Sequence, residues 1–469
     1  MIYKIAFRNI ARNRRRSTVA GMALVVSAIA MLLFGAFMMS LILGVKTSTI
    51  SSDGHLTIFH TGYLDYGEGN PGRYSIADYK PLIATLKKDP ILQPLLNEVM
   101  ARVSVFGVAG NSSNDASKTF YGEGFVPSAY EHMKKWDEYR IRRRATDHPL
   151  AMDDHLPEQG VIGVGLARIL GYCEALHLDH CTEVPAAEAK HSQPLSNAPQ
   201  NRDLTSLTNL ADDSGPTTQA ARLPRIDLLG ATVMGAPNVV SLNIGGTYAL
   251  PLREIDNAYV GMPLALAQQL LYGRGPHQVT SIVLQLHHTD DLAIAKLRVQ
   301  RLLKRQAPEL EVRDFVELSP MYKQVIALFG SIFFFITVIM CVIVLFSVAN
   351  AMGMSVMERT GEIGTLRAMG VQRSGIRRQF LAEGVVLGLV GATIGVMLSI
   401  GLAELVNRAE WTWLPPGQVY PVPLHLTLWV YPTLVVGTWI GLVAVAALAS
   451  WLPANRAARM TVVDALRYT

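Results

Sequence analysis

The sequence predicts a membrane protein with four transmembrane α-helices and a large α+β extracytoplasmic domain between helices one and two. Three observations lead there. Half of the 469 residues are hydrophobic and 17% are charged, with a mean hydropathy of +0.25, too apolar for a typical soluble protein and too polar for a compact bundle of spans. Four stretches, 17–45, 324–357, 384–403 and about 427–451, run uncharged for long enough to cross a bilayer, which takes about 20 residues. Between the first two, residues 46–323 alternate β-like apolar runs such as "HLTIFH", "VSVFGVA" and "SIVLQL" with helical ones such as "PLALAQQLL" and "DLAIAKLRVQRLLKR".

The N-terminal segment 1–16 places Lys4, Arg8, Arg12 and Arg15 at helical spacing, with Tyr3, Phe7 and Ile10 along another side. It reads as a cytoplasmic amphipathic interfacial helix, or as a basic flank that sets topology; the two are compatible. The uncharged run of 17–45 spans 29 residues, far beyond the roughly 7–15 of a signal-peptide core, so it is read as a span. At about 1.5 Å per residue it is roughly 44 Å long, against a hydrocarbon core of ~30 Å. It must therefore tilt or protrude, and 324–357 is similarly overlong, which predicts a helical stalk towards the outer domain.

Positive residues precede the first span, exceed acidic ones in 358–383, and recur as Arg456, Arg459 and Arg467 in 452–469, whereas 404–426 carries Glu404, Arg408 and Glu410. The positive-inside rule then puts both termini and 358–383 in the cytoplasm, and 46–323 and 404–426 outside. The formal net charge of +5 raises nucleic acid as a partner. Its excess beside apolar runs, notably at Lys4, Arg8, Arg12, Arg14, Arg15 and Arg16, has the distribution of membrane topology, so no nucleic acid is expected.

The segment 358–383 is a charged helix-forming stretch between two spans. Val356, Ile363, Leu366 and Met369 fall near one helical stripe, while Glu358 and Glu362 stand four apart and repel slightly. Like charges on one face suit a basic or hydrogen-bonding surface on another protein, with Arg359 and Arg367 available for carboxylates and with Gly364 and Gly370 permitting close approach and a helix end. A solvated linker helix would carry the same spacing. In the third span Gly384, Gly388, Gly391 and Gly395 repeat at GxxxG spacing, a signature of dimer or helix packing in lipid that is weak by itself because glycine is common in spans. Pro453 follows the last span, and Thr461 with Asp464 three residues on predicts a short terminal helix.

Within the outer domain, 182–222 turns to Ser, Asn, Pro, Asp and Gln and reads as a flexible insertion. "CEALHLDHC" brings Cys173, His177, His180 and Cys181 together, but the spacing matches no standard zinc signature. No metal is expected; a Cys173–Cys181 disulfide suits an oxidising compartment, and an unpaired pair is the alternative. The chain has no G-x-S-x-G, no H-E-x-x-H and no G-x-x-x-x-G-K-[ST], so it offers neither hydrolase chemistry nor a phosphate-cradling loop of its own.

Several stretches together resemble the MacB/FtsX/LolE superfamily of ABC transporter permeases, the mechanotransmission type. They are "AFRNIARNRRRS" at the start, "ERTGEIGTLRAMG" followed by "FLAEG" between the second and third spans, and "PANRAARMTVVDALRY" at the close. The outer phrases "GHLTIFHTGYLD", "VIGVGLARILG" and "AYVGMPLALAQQLL" resemble the lipoprotein-releasing LolC/LolE branch more than FtsX. The resemblance implies that 358–370 is a coupling helix seated in an ATPase, with Glu358, Arg359, Glu362 and Arg367 in contact. It also implies that ATP and magnesium are bound by that partner and not by this chain, which is then no enzyme itself. Expected partners are two copies of the ATPase subunit, a second permease copy, identical or related, membrane lipids, and a periplasmic lipoprotein carrier or adaptor. The expected setting is a bacterial inner membrane of Gram-negative type.

On that reading the chain moves a lipoprotein or other amphiphile from the outer leaflet to the carrier. Phe34, Met38, Leu41, Phe329 and Phe333, near the outer ends of the first two spans, would receive acyl chains at about 0.8 kcal/mol per buried methylene, or would simply pack against lipid. MacB-like efflux of peptides or drugs and FtsX-like control of a cell-wall hydrolase are the alternatives. FtsX outer domains are much smaller than 46–323.

Overall fold

A computed structural model of the chain describes residues 14–67, 69–111, 114–139, 151–178, 223–250, 252–413 and 422–460. The expected amphipathic N-terminal helix, the 182–222 insertion, His180, Cys181 and the terminal Thr461–Asp464 motif lie outside the described residues. Two units are present: an α+β domain formed by Thr47–Leu318, and a helical unit formed by the described residues before and after it.

Helix α1 (Arg14–Asp53) is a single 40-residue helix whose last residues, Thr47–Asp53, lie within the α+β domain. Gly54 stops it at φ +70°, its N–H donating to the Ile50 carbonyl at 3.0 Å. A Cβ at this position would lie 2.5 Å from Val283 Cγ1 and 2.7 Å from the Leu284 carbonyl oxygen, so both conformation and space select glycine.

The chain then runs through β1 (Leu56–His60), α2 (Tyr79–Lys88), β2 (Leu96–Asn111), β3 (Ala116–Phe125), α3 (Pro127–Lys134), β4 (Gln159–Gly163) and α4 (Val164–Ile169). It continues through β5 (Arg225–Ala231), β6 (Pro237–Tyr248), β7 (Tyr259–Pro263), α5 (Leu264–Tyr272), β8 (Ser281–Leu286), α6 (Leu292–Gln306) and β9 (Leu310–Asp314). The strand order is β3-β7-β4-β6-β5-β2-β8-β1-β9, and β3 also pairs with β2. That extra pairing closes β2, β3, β7, β4, β6 and β5 into a ring, which removes the exposed edges an open sheet would present.

Strand β2 is long enough, at 16 residues, to serve two sheets. Its first part pairs with β8 as far as Arg102↔Ser281, and its second pairs with β3 from Val103↔Gly124 and with β5. Every residue of β8, "SIVLQL", is buried, which is why its sequence is an apolar run and not an alternation. Helix α6 buries Ala295, Val299 and Leu303 at intervals of four. On its polar side Arg298 grips Asp89 through Nε and Nη2 at 3.1 and 2.7 Å, and this bond holds the Asp89 carboxyl below the ordinary carboxylate range.

After β9 come α7 (Pro320–Glu358), α8 (Thr360–Ala368), α9 (Arg373–Ala409) and α10 (Pro432–Arg459). Among the described residues four helices are long and apolar enough to cross a membrane: Ser17–Asp53, Tyr322–Glu358, Arg373–Ala409 and Pro432–Arg459. The apolar stretches 384–403 and 427–451 sit inside or overlap longer helices, because charge marks where lipid ends and does not end a helix. Pro453, expected beyond the last span, lies inside α10. Exposed Phe334, Phe335 and Phe346 on α7, at 70%, 66% and 68%, form a surface that suits lipid and not water.

Inside the helical unit the glycines of α9 divide between two neighbours. Gly384 and Gly388 lie against Ser450 and Ala446 of α10, and Gly391 and Gly395 against Leu24 and Ala28 of α1. Cβ atoms at 388, 391 and 395 would come within 2.8, 2.8 and 2.5 Å of those side chains. The small-residue stripe is thus occupied by helices of the same chain.

Replacing Gly388 or Gly395 by Leu should overpack these crossings at a cost of about 1–3 kcal/mol. The thermal midpoint in detergent micelles should fall by roughly 2–4 °C for each kcal/mol. Gly401→Leu, where a Cβ would meet nothing within 4 Å, should leave the midpoint unchanged.

Candidate functional site

The charged loop is a short helix clamped between two long ones. Helix α7 ends at Glu358; Arg359, at φ −108° and ψ 19°, breaks the helical path, and α8 starts at Thr360. The Thr360 hydroxyl fills the break, contacting the carbonyls of Met357 and Val356 at 2.8 and 3.2 Å. Helix α8 ends on Gly370 at φ +91°, with the Val371 N–H returning to the Leu366 carbonyl at 3.1 Å and the Gly370 N–H to that of Arg367 at 3.1 Å. This αL closure needs no Cβ, so Gly370 is a helix stop.

One side chain sets the position of α8. Arg359 is buried, donating from Nη1 to Glu383 Oε1 of α9 at 2.8 Å and from Nε to Glu362 Oε2 of α8 at 2.9 Å. Its guanidinium lies over the Phe380 ring, 5.4 Å from the centroid. Planar donors in a fixed fork let one arginine bind carboxylates on two helices while stacking on an aromatic face. Around it Val356, Ile363, Ile376 and Phe380 form one buried cluster. The 376, 380, 383, 387 spacing on α9 is the helical stripe that faces α8 and its neighbours.

The break at Arg359 corrects the expected stripe. Glu358 and Glu362 belong to separate helices, so their spacing of four is not an i, i+4 pair, and Met369 leaves the apolar face to stand 69% exposed. Arg367 is half-buried, with Nη1 donating to the Val371 carbonyl at 3.3 Å. Gly364 is buried, whereas Glu358, Glu362 and Gly370 are exposed. The arginines expected to reach out therefore turn inward, and the outer edge of the loop presents Glu358, Gly361, Glu362, Thr365 and Met369, with Arg373, Arg377 and Arg378 exposed at the start of α9. Sequence reasoning missed Glu383 and Phe380. The signal was there in a lone carboxylate opening an apolar run, an expensive residue unless paired.

Of the residues expected to meet acyl chains, Phe34 and Phe333 stack with ring centroids 6.3 Å apart and planes 9° from parallel. Met38 is buried, while Leu41 and Phe329 are half-buried. His177 and Cys173 lie in a turn after α4; the rest of the cysteine–histidine cluster is outside the described residues.

The clamped charged helix lies between two membrane-length helices, and comparison with known proteins gives this region a family. Residues 334–462, covering most of α7 and all of α8, α9 and α10, match the FtsX-like permease C-terminal family. Residues 334–462 therefore carry an FtsX-like permease domain, and the proteins this chain is similar to include ones named as ABC transporter permeases or permease proteins. It is 26% identical over 269 residues to the macrolide export ATP-binding/permease protein MacB of Psychrobacter arcticus, covering 57% of this chain and 38% of that one. It is 30% identical over 198 residues to the uncharacterized ABC transporter permease YknZ of Bacillus subtilis, covering 41% and 46%. It is 27% identical over 220 residues to the lipoprotein-releasing system transmembrane protein LolE of Haemophilus influenzae, covering 44% and 50%. The chain thus spans half or less of the length of each of these relatives.

Arg359→Ala removes the guanidinium that the buried Glu383 shares with Glu362 and should destabilise the helical unit by about 3–5 kcal/mol. Arg359→Met combined with Glu383→Leu should recover most of that loss, as read by thermal unfolding in micelles.

Proposed function

We propose that this chain is the permease subunit of an ATP-driven transporter of the mechanotransmission type, with α8 as the coupling helix that docks on an ABC ATPase. The observation that carries this reading is the Arg359 clamp. It fixes a short helix to two membrane-length helices and presents an acidic, small-residue edge that is solvent-exposed among the described residues. An ATPase surface that closes on ATP would grip that edge through Glu358, Glu362 and the exposed backbone near Gly361 and Gly370, and Arg359 would pass the displacement to α9 through Glu383. Arg359 and Arg367 hold the helix in shape; the carboxylates and glycines make the contact. The unit works as a pair of permeases with two ATPase copies, both termini and α8 in the cytoplasm, and the α+β domain in the periplasm.

The cargo in this reading is a lipid-anchored protein or similar amphiphile, taken from the outer leaflet of the inner membrane and passed to a periplasmic carrier without crossing the bilayer. The stacked pair Phe34 and Phe333 supports it, since two facing aromatic rings between membrane helices offer an apolar wall for acyl chains. A second reading is export of peptides or drugs already in the periplasm, favoured by the larger share of this chain that the Psychrobacter MacB covers.

Reconstitution with the cognate ATPase in liposomes separates them. A triacylated protein should raise ATP hydrolysis on the first reading and a soluble peptide or macrolide on the second; a response to neither contradicts both. Glu358→Arg with Glu362→Arg should reduce stimulated turnover by about fivefold or more. Unchanged stimulated turnover would contradict the assignment of α8.

A further inference from the structure

The α+β domain contains a second buried arginine clamp, at the place where its two sheets part. Arg102 is the last residue of β2 paired with β8, and Val103 is the first paired with β3. At this fork Thr280 takes over from the regular ladder: its Oγ1 donates to the Arg102 carbonyl at 3.0 Å and accepts the Ser104 N–H at 2.9 Å. The Arg102 side chain, 9% exposed, donates from Nη1 to Asp53 Oδ1 at 2.7 Å and to Glu123 Oε1 at 3.3 Å, with Nε 3.5 Å from Ser281 Oγ. Asp53 closes α1, Glu123 lies on β3 of the ring, and Ser281 opens β8 of the open sheet. A single guanidinium therefore reaches the helix end, the ring and the sheet.

The other fastenings of the α1 end are less central. Gln285 Nε2 on β8 donates to the Ile50 and Met133 carbonyls, both at 3.0 Å, which ties the helix to the sheet. Lys134 on α3 donates to Ser52 Oγ at 3.2 Å and lies over the Tyr130 and Tyr248 rings, at 5.1 and 4.5 Å. On the ring, Glu123 also accepts the Tyr121 hydroxyl at 2.8 Å and the Tyr259 hydroxyl at 3.5 Å, so its carboxylate is held in place before Arg102 reaches it.

We propose that Arg102 is a positioning residue that fixes the ring to the end of α1, and that movement of α1 reaches the ring through the Asp53–Arg102–Glu123 contact. The sheet is tied to α1 by main-chain and amide bonds; the ring is tied by the Arg102 charge contact and, through α3, by Lys134, which bonds both Ser52 and the Tyr248 hydroxyl of β6. Breaking the charge contact should leave both sheets folded and loosen the angle between them, with the Lys134 link as the remaining restraint. The consequence for transport rests on the function proposed above: hydrolysis would continue while release of cargo would fail.

The test uses the full chain with its ATPase in liposomes. Asp53→Asn is the primary variant, because it loosens the helix side while leaving Arg102 and Glu123 paired in the interior. Arg102→Lys is the second, a side chain one bond shorter and without the Nε that lies near Ser281. Basal hydrolysis should match wild type, whereas release of a triacylated protein should fall by about fivefold or more. With Cys173 disulfide-bonded and Cys341, the free cysteine among the described residues, changed to Ser, spin labels at Lys118→Cys on the ring and Arg301→Cys on α6 should report a broadened distance distribution in Asp53→Asn. A merely stabilising role would instead lower the thermal midpoint and leave the distribution sharp. Full release and an unchanged distribution in Asp53→Asn overturn this proposal alone. A wild-type complex that shows no cargo-stimulated hydrolysis overturns the transport reading, and the consequence drawn from it here.

Discussion

The helical unit is organised around the charge pair that joins Arg359 to Glu383. Both side chains are buried, at 10% and 4% exposure, and neither charge has enough water to remain there alone. A buried ion pair of this kind is a poor source of stability compared with apolar packing, but it defines geometry, because only one arrangement of α8 on α9 satisfies both partners. Phe380 below the guanidinium and Glu362 beside it narrow that arrangement further. Arg359 stands at the break between α7 and α8, so the same residue that ends one helix orients the next.

The α+β domain solves a related problem by the same means. One strand, β2, belongs both to an open sheet and to a closed ring, and backbone hydrogen bonding is interrupted where it changes partners. Polar side chains fill the interruption, with Thr280 on the main chain and Arg102 on the carboxylates. In each unit a buried arginine occurs where regular secondary structure is broken, and in each it forks to two acidic residues from different elements. Such a contact is directional, which is what a part that must hold an orientation requires.

The helices were legible in the sequence because their signal is local. Uncharged runs of membrane length identify the four spans, and the charged stretch with its glycine stop identifies α8 as a helix. Their packing was not legible. The break at Arg359 depends on main-chain angles that no spacing rule carries, so Glu358 and Glu362 looked like neighbours on one face. Glu383 was passed over because hydropathy treats a carboxylate at the edge of an apolar run as a boundary, and its partner lies 24 positions away. The strands of the α+β domain could be suspected from runs such as "SIVLQL", but ring closure rests on distant pairings such as Tyr121↔Tyr259, beyond the reach of any local pattern.

The glycines of α9 show how a motif can be read correctly for chemistry and still leave its partner open. Small residues at intervals of three and four do bring helices close, and here α1 and α10 of the same chain occupy them. The exposed apolar side of α7 is what remains for lipid or for the second permease copy proposed above. The central claim, that the exposed acidic edge of α8 faces a nucleotide-driven engine, is tested most directly by photo-crosslinking from position 362 in native membranes. The account predicts an adduct with an ABC ATPase whose yield changes when nucleotide is trapped; a residue 362 that labels only from the outer side of the membrane, and forms no such adduct, would contradict it.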